Sequence, residues 1–247
     1  MTLPCATIFI WLRPRFKMLR FKADQDGSRA FLYIISWGTM AAMLFVSQVY
    51  LRTATGSLKI LSSIDDIENT GRARYYKLPK FSVAPYYGGT YATSNKSGKF
   101  GEDLHFTIYF VAPIFDNTSG QLPLVPKTWY GVQFTKRINN WTSKLEKEKR
   151  YRIFYNECLE KMKRYNFHSL DHFERIPGSE DNDNFLKAIQ SRVHEPTVKN
   201  FIILKPVQGK YDERNGNKLA WIFVSFGTGL GLLALALIRP TYNKIEG

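Results

Sequence analysis

Two uninterrupted apolar stretches dominate the pattern of hydrophobic and polar positions along the chain. Ala30 to Leu51 holds 22 residues without a charge, and Leu219 to Ile238 holds 20. Because a helix rises about 1.5 Å per residue, each stretch would cover roughly 30 Å, the thickness of a bilayer's hydrocarbon core. The pattern therefore predicts two transmembrane helices with a polar region between them.

These two stretches divide the chain into five parts. In chain order we predict a basic cytoplasmic segment, a first transmembrane helix, an extracytoplasmic domain, a second transmembrane helix and a cytoplasmic tail, over residues 1–29, 30–51, 52–218, 219–238 and 239–247. The middle part is long enough for one compact domain with its own core. The mean hydropathy of −0.28 is that of a soluble protein only because this polar middle dilutes the apolar stretches.

Within the middle part, short segments alternate between the strand and the helix period. Strand patterns occur at residues 72–83, 104–112, 128–135, 167–176 and 199–207, and helical patterns at 143–165 and 181–193. The order β, β, β, α, β, α, β predicts an α+β domain with helices on one face of a mixed sheet. Residues 84–103 have the Gly, Ser, Asn and Lys content of a loop, and residues 53–71, rich in Ser, Thr and Asp, have that of a linker or a short helix.

The longer predicted helix has a clear start and one apolar face. Ser143 and Glu146 stand at capping-box spacing. Beyond them, apolar residues recur every three or four positions. We expect this face to pack on the sheet, and docking on a membrane is the alternative.

The formal charge of +14 indicates how the chain would be oriented. The short segment before the first apolar stretch carries a net charge of +4, and cytoplasmic flanks are enriched in Lys and Arg. Both termini are therefore predicted to be cytoplasmic and the middle domain periplasmic, in a bacterial inner membrane. The middle domain is basic as well, but it contains no recognisable nucleic-acid module, so no nucleic-acid partner is expected.

Small residues at a spacing of four suggest where the apolar helices pack. Gly38 and Ala42 have this spacing in the first stretch, and Gly227 and Gly231 in the second. Small residues let helix backbones approach closely in lipid. We expect these four residues to pack the two helices against each other or against further helices; the alternative is the ordinary frequency of glycine in membrane helices.

The chain shows no clear catalytic, cofactor or metal motif. No serine lies in a nucleophile motif, although a Ser–His pair formed by chance proximity stays open. His168 and His172 are four residues apart in a predicted strand, with only Asp171 or Glu174 available as a third ligand. We therefore expect no catalytic residue, no metal site and no cofactor.

An acidic run and two cysteines also have simple structural interpretations. The run from Ser179 to Asn184 resembles a calcium loop but lacks its glycine and closing glutamate, so it predicts a helix cap. Cys5 and Cys158 should lie on opposite sides of the membrane, so no internal disulfide is expected.

Three segments resemble the non-catalytic, membrane-anchored region that precedes the protease core in some bacterial rhomboid-family proteins. They are Glu213 to Phe223, Thr128 to Ile138 and Gly178 to Ile189. A rhomboid protease uses a serine in a glycine-flanked motif on one span and a histidine on another, and neither apolar stretch here contains a histidine. The resemblance therefore implies an accessory part without its catalytic core, and no residue is carried over as catalytic.

The sequence as a whole favours a non-enzymatic membrane protein whose extracytoplasmic domain binds a protein partner. The expected partners are the lipid bilayer and another membrane or envelope protein. One alternative is a substrate-positioning part of a rhomboid-type intramembrane serine protease. Another is an envelope sensor or assembly subunit.

Overall fold

The computed structural model describes residues 8–20, 25–69, 73–116, 126–193, 201–238 and 241–242. The helices are α1 (Arg13–Lys17), α2 (Gln25–Ala54), α3 (Asp66–Asn69), α4 (Lys144–Lys163), α5 (Glu180–Gln190) and α6 (Lys218–Leu237). The strands are β1 (Leu19–Arg20), β2 (Leu58–Ile60), β3 (Tyr75–Lys77), β4 (Ser82–Val83), β5 (Gly89–Ser97), β6 (Asp103–Phe115), β7 (Thr128–Asn139), β8 (His172–Arg175), β9 (Ile202–Val207) and β10 (Thr241–Tyr242). They form two compact units, a helical unit of residues 1–55 and 212–247 and a sheet unit of residues 56–211.

The helical unit contains the two apolar helices, and both are long and apolar enough to cross a membrane by length and composition. The qualifying segment Arg29–Ala54 contains the first predicted span, and Tyr211–Leu237 contains the second except for its last residue, Ile238. Only 11% and 6% of their most apolar windows are buried, whereas a core helix of a soluble protein would be mostly buried. The helices also pack against each other, so they form a pair.

Polar contacts join the end of α2 to the start of α6. The Arg214 guanidinium donates from Nε to the Thr53 carbonyl oxygen at 3.1 Å. The Lys218 ammonium donates to the Thr53 hydroxyl at 3.2 Å and to the Arg214 carbonyl oxygen at 3.0 Å. Cations at a helix C-terminus donate hydrogen bonds to carbonyl groups that have no partner within the helix. They also interact favourably with the negative end of the helix dipole. These contacts make the two helices antiparallel neighbours.

The close approach between the two helices is at Gly229, and the predicted small residues lie elsewhere. A Cβ added at Gly229 would overlap the side chain of Thr39 on α2. A Cβ added at Gly38, Gly227 or Gly231 would meet nothing within 4 Å. The exposed Ala42 shares a side of α2 with Gly38. The contact within the chain is therefore displaced from the predicted positions, and packing of those four residues against further helices stays a prediction.

The sheet unit is built around one mixed sheet. Its strand order is β2-β3-β8-β9-β7-β6, and both β4 and β5 pair with the far side of β6. The pairs β2–β3 and β7–β9 are parallel, and the remaining pairs are antiparallel. This arrangement confirms the predicted α+β class with a mixed sheet.

Helices cover both faces of this sheet, so the prediction of helices on one face is wrong. Along β6, Ile108 and Phe110 pack in a cluster with Phe154 and Cys158 of α4. The alternate residue Tyr109 packs in a separate cluster with α5. Successive strand residues point to opposite faces, so the continuous apolar run of β6 contacts both helices.

The structure also contains two strands where the sequence predicted none. Residues 84–103 include β5, which pairs antiparallel with β6 over nine residues, from Gly89 opposite Val111 to Ser97 opposite Asp103. Residues 53–71 include β2, which pairs parallel to β3. Both are edge strands with little buried apolar surface, which explains why their composition resembled a loop.

Helix starts follow the predicted caps. The Ser143 hydroxyl accepts a hydrogen bond from the Glu146 backbone N–H at 3.3 Å at the start of α4. Ser179 caps α5 in the same way through the Asn182 N–H at 3.4 Å. The acidic run after Ser179 therefore forms the first turn of a helix, where carboxylates interact favourably with the positive end of the helix dipole.

Candidate functional site

The histidines do not form a metal site in the described part of the chain. His168 lies in a turn, where its ring stacks on Phe81 with centroids 4.8 Å apart. His172 begins β8 and is 1% exposed. No group of three or more His, Cys, Asp or Glu side chains in the described ranges has the geometry for a metal ion. His194 lies outside the described residues.

One serine and one histidine are within hydrogen-bond distance on the outer strands. The Ser97 hydroxyl on β5 and Nε2 of His105 on β6 are 2.8 Å apart at an exposed position. A serine nucleophile also needs a third group that orients the histidine and donors for the oxyanion. Among the described residues, no contact orients His105 in that way. The pair is therefore a cross-strand surface contact, and it does not form a triad.

A second polar cluster lies where the first and last residues of the sheet unit come together. Nδ1 of His172 and Oδ2 of Asp171 are 3.0 Å apart, and the backbone N–H of Tyr211 donates to the same oxygen at 3.2 Å. The Lys77 ammonium is 3.4 Å from Oδ1. These contacts lower the pKa of Asp171, with the His172 hydrogen bond as the largest cause. Because a carboxylate accepts, Nδ1 of His172 carries the proton.

The Tyr211 side chain connects this cluster to Gly56, the first residue of the sheet unit. Its hydroxyl donates to the Gly56 carbonyl oxygen at 2.8 Å, and Gly56 has a φ of 119° that favours glycine. The Tyr211 ring packs edge-on against His172 and Tyr75, with centroids 5.6 and 5.3 Å apart. Among the described residues, Nε2 of the buried His172 finds no hydrogen-bond partner. A ring enclosed in this way has no access to a substrate, so the cluster fastens the two ends of the unit together.

A third polar network connects the sheet to α5. The Tyr109 hydroxyl donates to Oδ1 of Asp181 at 2.7 Å, and the buried Asn184 amide donates to the same hydroxyl at 3.4 Å. Burial, followed by the hydrogen bond to Asp181, raises the pKa of Tyr109 to about 12. The tyrosine therefore stays neutral and fixes the start of α5 on the sheet.

β5 forms one outer edge of the sheet. β5 pairs only with β6, and in the described residues its other edge has no neighbouring strand. Ser94, Asn95 and Lys96 have exposed side chains along this edge. Tyr86 and Tyr87, in the turn before β5, are 88% and 57% exposed. We name β5 together with these two tyrosines the β5 edge.

An unpaired strand edge can accept an extended segment of another chain through backbone hydrogen bonds. Tyrosine is enriched at protein interfaces, because its ring supplies apolar area and its hydroxyl a hydrogen bond. Sequence reasoning missed this surface because it assigned residues 84–103 to a loop. The only sequence signal for it is the short TYATS segment, whose two threonines and one tyrosine are residues that favour strands.

Comparisons of this chain with protein-family models, with curated proteins and with solved structures give no match. The resemblance to the rhomboid-associated region finds no support in these comparisons and stays a prediction.

Proposed function

We propose that this chain is a two-span membrane protein that presents its sheet unit for binding a protein partner, and that the chain is non-catalytic on its own. The observation that carries the proposal is the β5 edge, nine residues of strand whose outer side pairs with no described strand and which follows two exposed tyrosines. If the outer side of β5 were covered by the domain itself, it could not pair with another chain. An open edge with aromatic neighbours suits β-strand addition by a partner.

Membrane insertion rests on the two apolar helices. Their exposed apolar surface is what a helix in lipid presents, and it would be costly in water. Extraction of cell membranes at alkaline pH tests this point, because integral proteins stay in the pellet. Recovery of the chain in the supernatant would contradict it.

The location that we propose is a bacterial inner membrane with both termini cytoplasmic and the sheet unit periplasmic. The support is the positive charge of residues 1–29, since short cytoplasmic flanks gather Lys and Arg. Protease added to intact spheroplasts should degrade an epitope inserted after Gly178, in an exposed turn, and spare one at the N-terminus. Protection of both epitopes would contradict this orientation.

Partner binding is tested by site-specific photocrosslinking in cells. A photoreactive amino acid at Ser94 or Tyr87 should give one adduct of the same mass from both positions. Glu160, an exposed residue of α4, is the matched control and should give no such adduct. Absence of adducts at the β5 edge, or equal adducts from position 160, would overturn the proposed interface.

The identity of the crosslinked protein decides between the functional alternatives. An envelope protein without protease motifs supports a binding or assembly role. A multi-span serine protease would instead indicate that the chain is the accessory part of a rhomboid-type enzyme.

A further inference from the structure

Two loops of the sheet unit are held together at the end of the β6–β7 ladder. The backbone N–H and the side-chain amide of Asn140 donate to the carbonyl oxygens of Glu102 and Gly101, both at 2.7 Å. The Lys147 ammonium donates to the Asn140 side-chain oxygen at 2.9 Å. Hydrogen bonds therefore connect the β5–β6 turn to the β7–α4 connection. We call residues 96–102 and 140–145 the distal tip.

The distal tip extends beyond the rest of the sheet. The β7–β9 ladder ends at Tyr130 opposite Leu204, whereas β7 continues to Asn139. Nine further residues of strand cover about 30 Å. The tip is therefore the end of a three-stranded arm formed by β5, β6 and β7. A large binding partner can reach it there.

Three large apolar side chains are exposed on this tip. Phe100 is 76% exposed, Trp141 is 73% exposed and Leu145 is 79% exposed. A single exposed apolar side chain is ordinary, but Phe100 and Trp141 on the two connected loops and Leu145 in the first turn of α4 together offer an interaction surface. Because hydrogen bonds hold both loops, little ordering is needed when the tip binds.

The tip also carries three lysines that have no carboxylate partner among the described residues. Lys96, Lys99 and Lys144 are exposed, and none of them makes an ion pair with a described residue. The arginines nearby are paired, since Arg137 binds Asp103 at 2.7 Å and Arg150 binds Glu146 at 2.8 Å. The tip also contains the Glu102 carboxylate, which accepts a hydrogen bond from the Phe100 backbone N–H at 2.8 Å. Three ammonium groups against one carboxylate leave the tip with a net positive charge.

The combination of side chains favours a lipid surface over a protein. Lysine is depleted at protein–protein interfaces. By contrast, Trp, Phe and Leu beside Lys are typical of surfaces that lie in the headgroup region of a bilayer, where ammonium groups attract anionic lipids. An aromatic ring such as that of Trp141 suits the boundary between headgroups and acyl chains.

We propose that the distal tip is a docking surface for an anionic phospholipid bilayer. The proposal rests on the membrane location proposed above, because a membrane-anchored chain meets lipid surfaces at high effective concentration and needs only modest affinity at the tip. Phe100, Trp141 and Leu145 enter the headgroup region, and the three lysines supply the preference for anionic lipid. The tip shares Lys96 and Ser97 with the β5 edge, whereas Tyr86, Tyr87 and the first part of β5 lie at the other end of that strand. A protein partner at that other end and a bilayer at the tip can therefore bind together.

The test uses the full chain in nanodiscs of phosphatidylcholine, mixed with vesicles and separated by flotation. Vesicles with 30 mol% phosphatidylglycerol should carry the nanodiscs upward, and vesicles of phosphatidylcholine alone should not. Addition of 0.5 M salt should weaken the capture at least several-fold, because electrostatic attraction to the lipid surface is screened.

Two sets of variants have matched controls. The triple variant F100S/W141S/L145S should lose vesicle capture at least tenfold, whereas I60S/I153S, which changes exposed apolar residues outside the tip, should keep it. The triple variant K96Q/K99Q/K144Q should lose the preference for anionic vesicles, whereas K80Q/K205Q/K210Q should keep it. Thermal unfolding of each variant verifies that the fold is retained. Unchanged capture by a folded F100S/W141S/L145S variant would overturn the proposal.

A second arm locates the bilayer that the tip binds. An environment-sensitive dye on W141C, in a C5S/C158S background, should shift to the blue when anionic vesicles are added. In nanodiscs that contain phosphatidylglycerol, a blue shift without vesicles would assign the docking to the disc's own surface. Absence of a shift in both settings would overturn the proposal.

The outcomes separate this proposal from the proposed function. If alkaline extraction releases the chain from membranes, the detergent-free chain is mixed with the same vesicles and the same variants decide. If the β5 crosslinks fail while capture persists, the lipid-binding tip stands and the protein interface does not.

Discussion

Gly229 of α6 lies directly against the side chain of Thr39 on α2. A Cβ at Gly229 would overlap this side chain. The Thr39 hydroxyl donates to the Ile35 carbonyl oxygen at 2.8 Å, which limits how far the side chain can move. Of the described residues of α6, only Gly229 is buried. The absence of a side chain at this one position therefore allows the two helices to pack closely.

The Gly229→Leu substitution should weaken helix pairing, because the new side chain would force the helices apart. We expect a loss of about 1–3 kcal/mol, measured as a lower unfolding temperature in detergent. Gly227→Leu and Gly231→Leu are matched controls, because an added Cβ at either position meets nothing within 4 Å. Equal destabilisation by all three variants would show that helix pairing does not depend on the absence of a side chain at Gly229.

The Asp171 carboxylate should make the stability of the sheet unit sensitive to acid. Its pKa is lowered in the folded state, so its contribution is complete above its ordinary pKa of about 4 and is lost as the pH falls through the folded value. Asp171→Asn should cost about 1–2 kcal/mol at pH 7 and little at pH 2. Urea unfolding of the full chain at several pH values measures this difference.

The control for this experiment is Asp65→Asn, which removes an exposed carboxyl group from the same unit. We expect its unfolding free energy to follow that of the unmodified chain at every pH. A constant difference between Asp171→Asn and the unmodified chain from pH 7 to pH 2 would contradict the assigned role of the carboxylate.

Tyr109 should make the same unit sensitive to alkali. Because its pKa is raised to about 12 in the folded state, its contribution is present below pH 10 and is lost as the pH rises from about 10 to 12. Tyr109→Phe removes the hydrogen bond to Asp181 and the acceptor of the buried Asn184 amide. We expect a cost of about 1–2 kcal/mol at pH 7 that shrinks toward pH 12.

Unfolding free energies between pH 8 and pH 12 test this prediction, and the partly exposed Tyr91 provides the control variant Tyr91→Phe. Burial raises the pKa of Tyr130 as well, so the unmodified chain contains more than one tyrosine with a raised pKa. The informative quantity is therefore the difference between Tyr109→Phe and the unmodified chain. A difference that does not change with pH would refute the prediction.

Gly89 should be required for the contact between β5 and α5. A Cβ at this position would overlap the backbone carbonyl oxygen of Ala188, which has no freedom to rotate away. Gly89→Ala should therefore lose about 1–3 kcal/mol of unfolding free energy. Gly178→Ala, at a position with nothing within 4 Å, should change it by less than about 0.5 kcal/mol. A neutral Gly89→Ala variant would mean that β5 does not lie close to α5.

The β5 edge and the distal tip both depend on a strand that the sequence did not predict. The segment from Gly89 to Ser97 contributes little apolar area, and it is a strand because β6 lies beside it. Backbone pairing with a distant segment leaves almost no trace in local composition. The same limit applied to β2, which is a strand because it pairs with β3.

The sequence by itself determined the elements whose pattern is strong and local. The two apolar stretches were long enough to predict helices near 30–51 and 219–238, and Ser143 and Ser179 predicted the starts of two helices. These features depend on neighbours within a few residues, so periodicity and capping chemistry are sufficient to find them.

Only the tertiary structure decided which residues meet across long separations. It placed Gly229 against Thr39, brought Tyr211 to Asp171 and Gly56, and put α4 and α5 on opposite faces of the sheet. The physical reason is that an apolar run such as that of β6 predicts burial on both faces without specifying which helix covers each face. That choice follows from packing and chain connection, which no local pattern records.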